Sequence, residues 1–347
     1  MIKIIIKNLS IVLFVFLFLA FIYIIYSQKT KLSSYEIGNK NVKEVSSSLL
    51  IGYNDPSIEI ENTNRNELNE FIACYKEPVS INDFSEKLRN KFNEIESFFI
   101  NSNNTASFSY EDLYSGLHIS YNENQTYFSA STIKAPVILY IYHLAINGKL
   151  DLNQLVTYNS YHFVEGSGSI QFQPYGKQYT IKELTEKAII ESDNIAYKML
   201  TSIVNLNEIK SFWKNLGSDT FWTNNNIWGQ TNTKDGIIYM KELYKFTKNN
   251  TEISDELLNL YFSSVCKLIN INDNSIKIAH KSGWNSATIH DIAIVYDSEP
   301  YVIAIDTLMG YKDYKSFFNK ASELINQFHK IYWDEKSDYC YSKTFKN

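Results

Sequence analysis

Apolar and polar residues alternate along the middle of this chain with spacings typical of helices and then of strands. Between residues 82 and 99 the apolar positions recur every three or four residues, which predicts an amphipathic helix that Asp83 would cap. The next two segments, TASFSYED and SGLHISYN, alternate apolar with polar residues and predict two strands joined near residues 112–115. The pattern therefore predicts one helix followed by a hairpin.

Helical spacing returns after the hairpin and continues for more than a hundred residues. A strongly apolar run from Ser131 predicts a helix that ends at Asn147-Gly148. A capping box, Thr180-x-x-Glu183, opens the first of several helices that follow as far as residue 265. Extended patterns then occupy residues 276–282, 290–296 and 300–308, before a closing amphipathic helix over residues 315–332.

The order of these elements predicts an α+β fold. Strands that are separated from a run of helices imply an antiparallel sheet flanked by helices, together with an all-helical lobe. A cleft between sheet and lobe is the expected place for a small-molecule site.

The first 28 residues are predicted to form a membrane segment. Residues 4–26 are nearly all apolar, and the run from Leu9 reaches the roughly 17–25 residues that cross a bilayer. Lys3 and Lys7 favour an amino end that stays in the cytoplasm. An uncleaved signal-anchor is preferred to a cleaved signal peptide, which stays open as the alternative, because no A-x-A site follows the long run. In both cases the remaining chain is expected to face outside the cell.

The rest of the chain divides into three predicted parts. Residues 29–80 are polar and predict a tether with local order near residues 68–75, and their few apolar residues disfavour a small separate domain. Residues 81–335 are predicted to form one folded domain, and residues 336–347 a carboxy-terminal tail. The net charge of -5 supplies no basic field, so no nucleic-acid partner is expected.

The three cysteines fit no metal-ligand spacing. An odd count with wide gaps favours unpaired thiols over a disulfide. If one bridge does form, Cys74 and Cys340 are the expected pair, because both lie outside the predicted folded domain, whereas Cys266 lies inside it. No metal and no organic cofactor are predicted.

Candidate chemistry begins at Ser131 and Lys134. Residues three apart on a helix lie on one face, so a hydroxyl and an amine are expected side by side. A serine is a weak nucleophile until a base takes its proton, and lysine can be that base only when its pKa is lowered. Burial and a second nearby cation both lower the pKa of a lysine.

Three short motifs follow one another along the chain: Ser131-x-x-Lys134, Ser192-Asp193-Asn194 and Lys281-Ser282-Gly283. Each is weak evidence alone, but together they stand at suitable element boundaries. The set resembles that of the penicillin-recognising serine enzymes, specifically class A β-lactamases and their penicillin-binding relatives. The resemblance covers about residues 82–335 and implies their two-lobed β-lactamase/transpeptidase-like fold.

The resemblance implies four catalytic residues. Ser131 would attack a carbonyl and become acylated, and Lys134 would take its proton. Ser192 would relay a proton to the leaving nitrogen, because a hydroxyl both donates and accepts. Lys281 would be the second cation that lowers the pKa of Lys134, and it would attract a substrate carboxylate.

Four further residues are implied in substrate binding: Asn194, Ser282, Gly283 and Trp284. Asn194 would offer its amide to the substrate or to Lys134, and Ser282 would bond the carboxylate. Gly283 would let substrate approach the strand closely. The backbone N–H groups of Ser131 and Trp284 would form an oxyanion hole. Asp193 is interpreted as a cap and His290 as a structural residue.

One part of the family pattern is missing. Class A β-lactamases carry a loop glutamate that activates water to remove the acyl group, whereas residues 220–233 contain no acidic residue, and Asn224, Asn225 and Asn226 cannot act as a base. Acylation is therefore better supported than fast deacylation. Three functions remain open: β-lactam hydrolysis with another deacylating group, a D-alanyl-D-alanine peptidase acting on peptidoglycan, and a non-catalytic β-lactam or muropeptide sensor. The sensor is disfavoured because only about ten residues would lie in the cytoplasm.

Overall fold

A computed structural model describes residues 62–102, 105–221, 227–248, 251–310 and 313–345. The helices are α1 Asn62–Lys76, α2 Glu86–Ile100, α3 Lys134–Ile146, α4 Ile181–Ile190, α5 Asn194–Ile203, α6 Leu206–Asn215, α7 Thr233–Thr247, α8 Glu252–Phe262 and α9 Tyr314–Phe345. The strands are β1 Ala106–Asp112, β2 His118–Tyr121, β3 Tyr127–Phe128, β4 Leu155–Thr157, β5 Gln178–Thr180, β6 Gln230–Thr231, β7 Lys277–Trp284, β8 Ile289–Tyr296 and β9 Tyr301–Thr307.

Five antiparallel strands form the central sheet in the order β2-β1-β9-β8-β7, which leaves β7 at an edge. Gly283 on β7 lies opposite His290 on β8, and His290 lies opposite Asp306 on β9. The α+β prediction, with an antiparallel sheet flanked by helices, is confirmed.

Side chains alternate between the two faces of each strand. On one face α7 packs so closely that a Cβ on its Gly236 would lie 2.8 Å from Ala304 of β9. The other face carries Tyr301, which contacts His329 of α9. Counting by twos along the strands, the first face also carries Gly283, His290 and Asp306, and it faces the helical lobe formed by α3–α6 and α8.

The start of α2 corrects one predicted cap. Ser85, not Asp83, caps this helix, because the Ser85 hydroxyl accepts a hydrogen bond from the Leu88 backbone N–H. Asp83 lies instead in a short 3₁₀ turn. The predicted capping box of Thr180 and Glu183 at the start of α4 is confirmed.

Two predicted boundaries are also corrected. Residues 336–345 are not a tail but the last turns of α9, and Cys340 is fully buried there. Residues 62–76 of the predicted tether form α1, whose Tyr75 ring lies 4.4 Å from that of Trp333 on α9. The sequence pattern did not show this because the apolar faces of α1 and of the end of α9 are narrow and complete each other only when packed together.

A disulfide joins α1 to α9, so the preference for unpaired thiols was wrong for two of the three cysteines. Cys74 and Cys340 are bonded with their Cα atoms 5.7 Å apart, as expected for the case in which one bridge forms. Cys266 is an exposed free thiol. Tertiary packing decides this pairing, because 266 residues separate the two cysteines in sequence.

The predicted membrane segment, residues 1–28, lies outside the described residues. Within the part of the chain that the structure describes, no helix combines the length and apolar character needed to span a bilayer.

Candidate active site

The candidate nucleophile lies in a tight turn that leads into α3. Residues Ala130–Ile133 form a 3₁₀ helix, and α3 begins at Lys134 rather than near Ser131 as predicted. Side chains three apart eclipse one another in a 3₁₀ helix, so the Ser131 Oγ and the Lys134 Nζ lie only 3.1 Å apart. Ser131 is partly exposed while Lys134 is fully buried, which presents the hydroxyl to solvent with the amine behind it.

The oxygen atoms around Lys134 match those expected for a neutral amine. Its Nζ donates to the Ser192 carbonyl oxygen at 2.5 Å and to the Asn194 Oδ1 at 2.8 Å, and both of these atoms can only accept. A neutral amine has two N–H groups and one lone pair. A neutral Lys134 would give its two N–H groups to these acceptors and its lone pair to the Ser131 hydroxyl, which lies 3.1 Å away.

Electrostatics favour the same neutral state. Burial lowers the pKa of Lys134 well below its ordinary value, and the charge of Lys281 lowers it further, against a smaller opposing effect of Asp193. Burial also lowers the pKa of Lys281, to about 8, although Asp291 acts in the other direction. Lys281 therefore remains the better-charged of the two lysines at neutral pH.

The hydroxyl of Ser192 connects the two lysines. It lies 3.3 Å from the Lys134 Nζ and accepts a hydrogen bond of 3.1 Å from the Lys281 Nζ. Ser192 sits in the left-handed region, with φ of 55°, between the end of α4 and the start of α5. This backbone conformation, rare for a residue with a side chain, turns the hydroxyl toward strand β7 and lets one oxygen serve both amines.

Asp193 caps α5, which confirms its interpretation from the sequence as a capping residue. Its Oδ1 accepts from the N–H groups of Ile195 and Ala196, and its Oδ2 accepts from that of Ile170. Gly168 makes this possible, because a Cβ there would lie 2.1 Å from the Asp193 carboxyl carbon. The carboxylate thus ties the loop of residues 166–171 to the start of α5 and leaves Asn194 aimed at Lys134.

Gly283 brings the sheet edge onto the nucleophile turn. A Cβ at this position would lie 2.6 Å from the Ser131 backbone nitrogen and 2.7 Å from that of Thr132. The sequence interpretation assigned the glycine to close approach of substrate. The structure shows a close approach by the protein's own turn, and the approach of substrate to Gly283 stays a prediction.

Two backbone N–H groups flank Ser131 beside this contact. The Ser131 N–H lies in the first turn of the 3₁₀ helix Ala130–Ile133, where N–H groups have no acceptor within the helix. The Asn285 N–H bonds the Thr288 carbonyl oxygen, and ladder bonds alternate along an antiparallel pair. The N–H of Trp284 therefore points away from β8, at the open edge of the sheet.

Ser282 and the Trp284 side chain lie apart from the cluster of Ser131, Lys134, Ser192, Asn194 and Lys281. Ser282 is fully buried on the strand face opposite Lys281, and its Oγ lies 3.5 Å from the Val265 carbonyl oxygen. The Trp284 ring lines a separate cavity of about 200 Å³ with Cys266. The carboxylate contact assigned to Ser282 therefore stays a prediction.

A sequence profile described as the β-lactamase enzyme family matches residues 87–333 of this chain. The chain belongs to the β-lactamase enzyme family. Among curated protein sequences, none is similar enough to count as a match.

Solved structures of this family share the fold at low sequence identity. PBP-A superimposes with a TM-score of 0.65 at 21% identity, covering 74% of this chain and 98% of PBP-A. A β-lactamase from Sphaerobacter thermophilus DSM 20745 superimposes with a TM-score of 0.62 at 15% identity, covering 69% and 98%. An ancestral class A β-lactamase gives 0.58 at 16% identity, covering 69% and 99%.

Two aromatic residues of this β-lactamase family member were not identified from sequence. The Lys134 Nζ lies 5.4 Å from the Trp228 ring centroid and 6.0 Å from that of Tyr197, so both rings cover the buried amine. The Tyr197 hydroxyl also holds the Ile227 carbonyl oxygen at 2.6 Å. Tyr197 follows Asn194 by three positions on α5, and that spacing could have identified it.

The loop that carries the deacylating glutamate in class A relatives is the weakest part of the match. Asn224, Asn225 and Asn226 lie outside the described residues. On either side, Asp235 accepts hydrogen bonds from the backbone of Asp219 and Thr220 and does not face the cluster. In the described part of the chain, no group of three or more His, Cys, Asp or Glu side chains could hold a metal.

Proposed function

We propose that this protein is an acyl-serine hydrolase that β-lactams and related amides acylate at Ser131. The single observation that carries the proposal is the environment of Lys134. Its Nζ lies 3.1 Å from the partly exposed hydroxyl of Ser131, and two acceptor-only oxygens are in place for the two N–H groups of its neutral form.

Acylation follows from this arrangement in three proton transfers. As the Ser131 oxygen attacks the substrate carbonyl carbon, its proton passes to the Lys134 amine. The N–H groups of Ser131 and Trp284 are placed to stabilise the oxyanion, a device worth about 2.7–4 kcal/mol per donor. The amide C–N bond then breaks, and the leaving nitrogen takes a proton from Ser192, which recovers one from the lysines.

Lys281 has two effects in this scheme. Its charge keeps Lys134 neutral, and the same charge attracts a carboxylate on the substrate. A β-lactam and a D-alanyl-D-alanine peptide both carry a carboxylate beside the scissile amide, so both substrate classes fit.

Two versions of the hydrolase differ in the fate of the acyl group. A β-lactamase must deacylate quickly, and the absence of an acidic residue from residues 220–233 argues against the usual route. The same observation favours a second candidate, a D-alanyl-D-alanine peptidase of peptidoglycan, which β-lactams would trap. A variant of PBP-A has been captured as an acyl-enzyme complex with penicillin G, in support of a long-lived adduct in this fold.

The proposal places the catalytic domain outside the cytoplasmic membrane, held by residues 1–28. The disulfide between Cys74 and Cys340 supports this location, because such bonds persist in oxidising compartments. Detection of the intact amino-terminal segment in membrane fractions tests the anchor, and a mature chain that starts after residue 28 would replace it with a cleaved signal peptide.

The experiment that tests the proposal is acylation by a fluorescent penicillin, followed by intact-mass measurement. Wild-type protein should gain one penicilloyl mass at Ser131, and the Ser131→Ala variant should gain none. Absence of an adduct at millimolar probe, with the protein folded, would refute the proposal and favour the sensor. Adduct loss within seconds identifies a β-lactamase, whereas persistence for many minutes identifies the peptidase.

A further inference from the structure

A second pair of buried titratable groups lies behind the nucleophile turn, outside the cluster described above. His290 on β8 and Asp306 on β9 are directly opposite each other, and both are fully buried. The His290 Nδ1 and the Asp306 Oδ1 are 3.2 Å apart. Within the described part of the chain, neither carboxyl oxygen of Asp306 receives a hydrogen bond.

The hydrogen bonds of His290 determine its tautomer. Its Nε2 lies 2.9 Å from the Phe128 carbonyl oxygen, which only accepts, so Nε2 carries a hydrogen. Its Nδ1 accepts from the Thr307 backbone N–H at 3.2 Å, so Nδ1 carries a lone pair. An ionised Asp306 would set a second electron-rich atom against that lone pair. Because Thr307 already takes that lone pair, and Asp306 forms no hydrogen bond in the described part of the chain, a neutral Asp306 is a packing neighbour of the ring rather than a donor to it.

Burial favours the same protonation state. It raises the pKa of Asp306 to about 8, assisted by the negative charge of Asp235, and it lowers the pKa of His290 to about 4. Both shifts favour the neutral forms of the two side chains at neutral pH.

The carbonyl that His290 holds belongs to the segment that enters the nucleophile turn. Phe128 is three residues before Ser131, and Ala130 between them has φ of 46°. A residue with a side chain stays in that conformation only when its surroundings hold it there. His290 also lies opposite Gly283, whose backbone abuts the Ser131 nitrogen.

The geometry points to His290 as a positioning residue for the nucleophile. Its Nδ1 is fixed by the Thr307 N–H, and its Nε2–H holds the Phe128 carbonyl oxygen and thereby fixes the Ala130-Ser131 turn against β7. His290 touches no reacting atom. The inference rests on the proposed role of Ser131, since it assigns His290 to the rate of acylation rather than to substrate binding.

The test compares variants that keep a hydrogen bond with variants that remove it. His290→Gln retains a donor toward Phe128, whereas His290→Leu retains none. His290→Leu should acylate with fluorescent penicillin about 10- to 100-fold more slowly at saturation, because a small displacement of a nucleophile has effects of this size. The apparent dissociation constant should change less than threefold, and His290→Gln should stay near the wild-type rate.

A matched control separates positioning from stability. His329 is also a buried histidine, but it bonds the Tyr110 hydroxyl on the other face of the sheet. His329→Leu should lower the melting temperature without slowing acylation. A His290→Leu variant that acylates at the wild-type rate, or that is slowed no more than His329→Leu, overturns the inference.

A measurement independent of activity covers the remaining outcomes. The ¹⁵N chemical shifts of the His290 ring at pH 7 should report a neutral imidazole with its hydrogen on Nε2. A hydrogen on Nδ1, or an imidazolium, overturns the inference even if the leucine variants fail to fold. If wild-type protein forms no adduct while the tautomer is as expected, the proposed function is refuted, whereas the hydrogen bonds assigned to His290 are confirmed.

Discussion

Replacement of Asp306 by asparagine should change how stability depends on pH, with a magnitude that follows from the burial of the carboxyl group. The amide has the same shape as the carboxyl group, but it does not titrate. The Asp306→Asn variant therefore removes one proton-binding site from the folded protein and leaves the packing intact.

The expected magnitude comes from proton linkage. Burial raises the pKa of Asp306 from an ordinary 3.8 to about 8. Between these values the folded chain keeps a proton that the unfolded chain has released, so raising the pH favours unfolding. The wild-type free energy of unfolding should fall by about 1.4 kcal/mol per pH unit relative to the variant, or roughly 2.7 kcal/mol between pH 5 and pH 7.

His290 contributes an effect of the opposite sign. Its pKa is lowered from 6.5 to about 4, so the unfolded chain binds the extra proton between these values and stability rises with pH there. Asp306 is neutral in the folded protein over this range, so its replacement leaves the charge facing His290 unchanged. The histidine contribution is then the same in both proteins and cancels in their difference.

Urea unfolding of both proteins at pH 5, 6 and 7 measures the difference directly. The wild-type free energy of unfolding minus that of the variant should fall by about 1.4 kcal/mol for each pH unit. The variant therefore becomes more stable relative to the wild type as the pH rises. Parallel curves would refute the reasoning, because they would show that Asp306 ionises in the folded protein as readily as in the unfolded chain.

Three further changes test other contacts. Lys281→Ala should slow acylation about 100-fold and move the rising limb of the pH–rate profile to higher pH, because the charge of Lys281 lowers the pKa of Lys134. The profile is compared with that of the control variant Lys277→Ala, on the same strand, and an unmoved limb removes Lys281 from the mechanism. Gly283→Ala should reduce the acylation rate by about 100-fold, because its Cβ would lie 2.6 Å from the Ser131 nitrogen; a rate within twofold of wild type in stopped-flow measurements contradicts the close approach. Replacement of both Cys74 and Cys340 by serine should cost about 2–5 kcal/mol of stability in urea unfolding, whereas Cys266→Ser, at an exposed thiol, should cost little; equal effects argue against the bridge.

Local patterns predicted much of the fold because they depend on near neighbours. The capping box of Thr180 and Glu183, the strands around Gly283 and His290, and the order of helices and strands were all visible as spacings of apolar and polar residues. The same patterns failed at both ends of the domain. Residues 62–76 and 336–345 complete one another's apolar surfaces, and neither segment alone shows that contact.

The candidate site divides in the same way. The i, i+3 spacing of Ser131 and Lys134 predicted their contact, and the three motifs named the residues that cluster around them. The burial of Lys134 beneath Trp228 had no counterpart in local sequence, because Trp228 follows Lys134 by more than ninety residues. The orientation of Ser282 away from Lys281 depends on the strand pleat, which sets neighbouring residues on opposite faces.

The sequence by itself determined which chemical groups this protein has and which of them lie within one helical turn of each other, because those relations are fixed by the covalent chain. Only the tertiary structure decided the protonation states on which the chemistry depends. The lowered pKa of Lys134 and the raised pKa of Asp306 both arise from burial and from charges that distant segments bring close. Desolvation is a property of the packed interior, and no local spacing of residues encodes it.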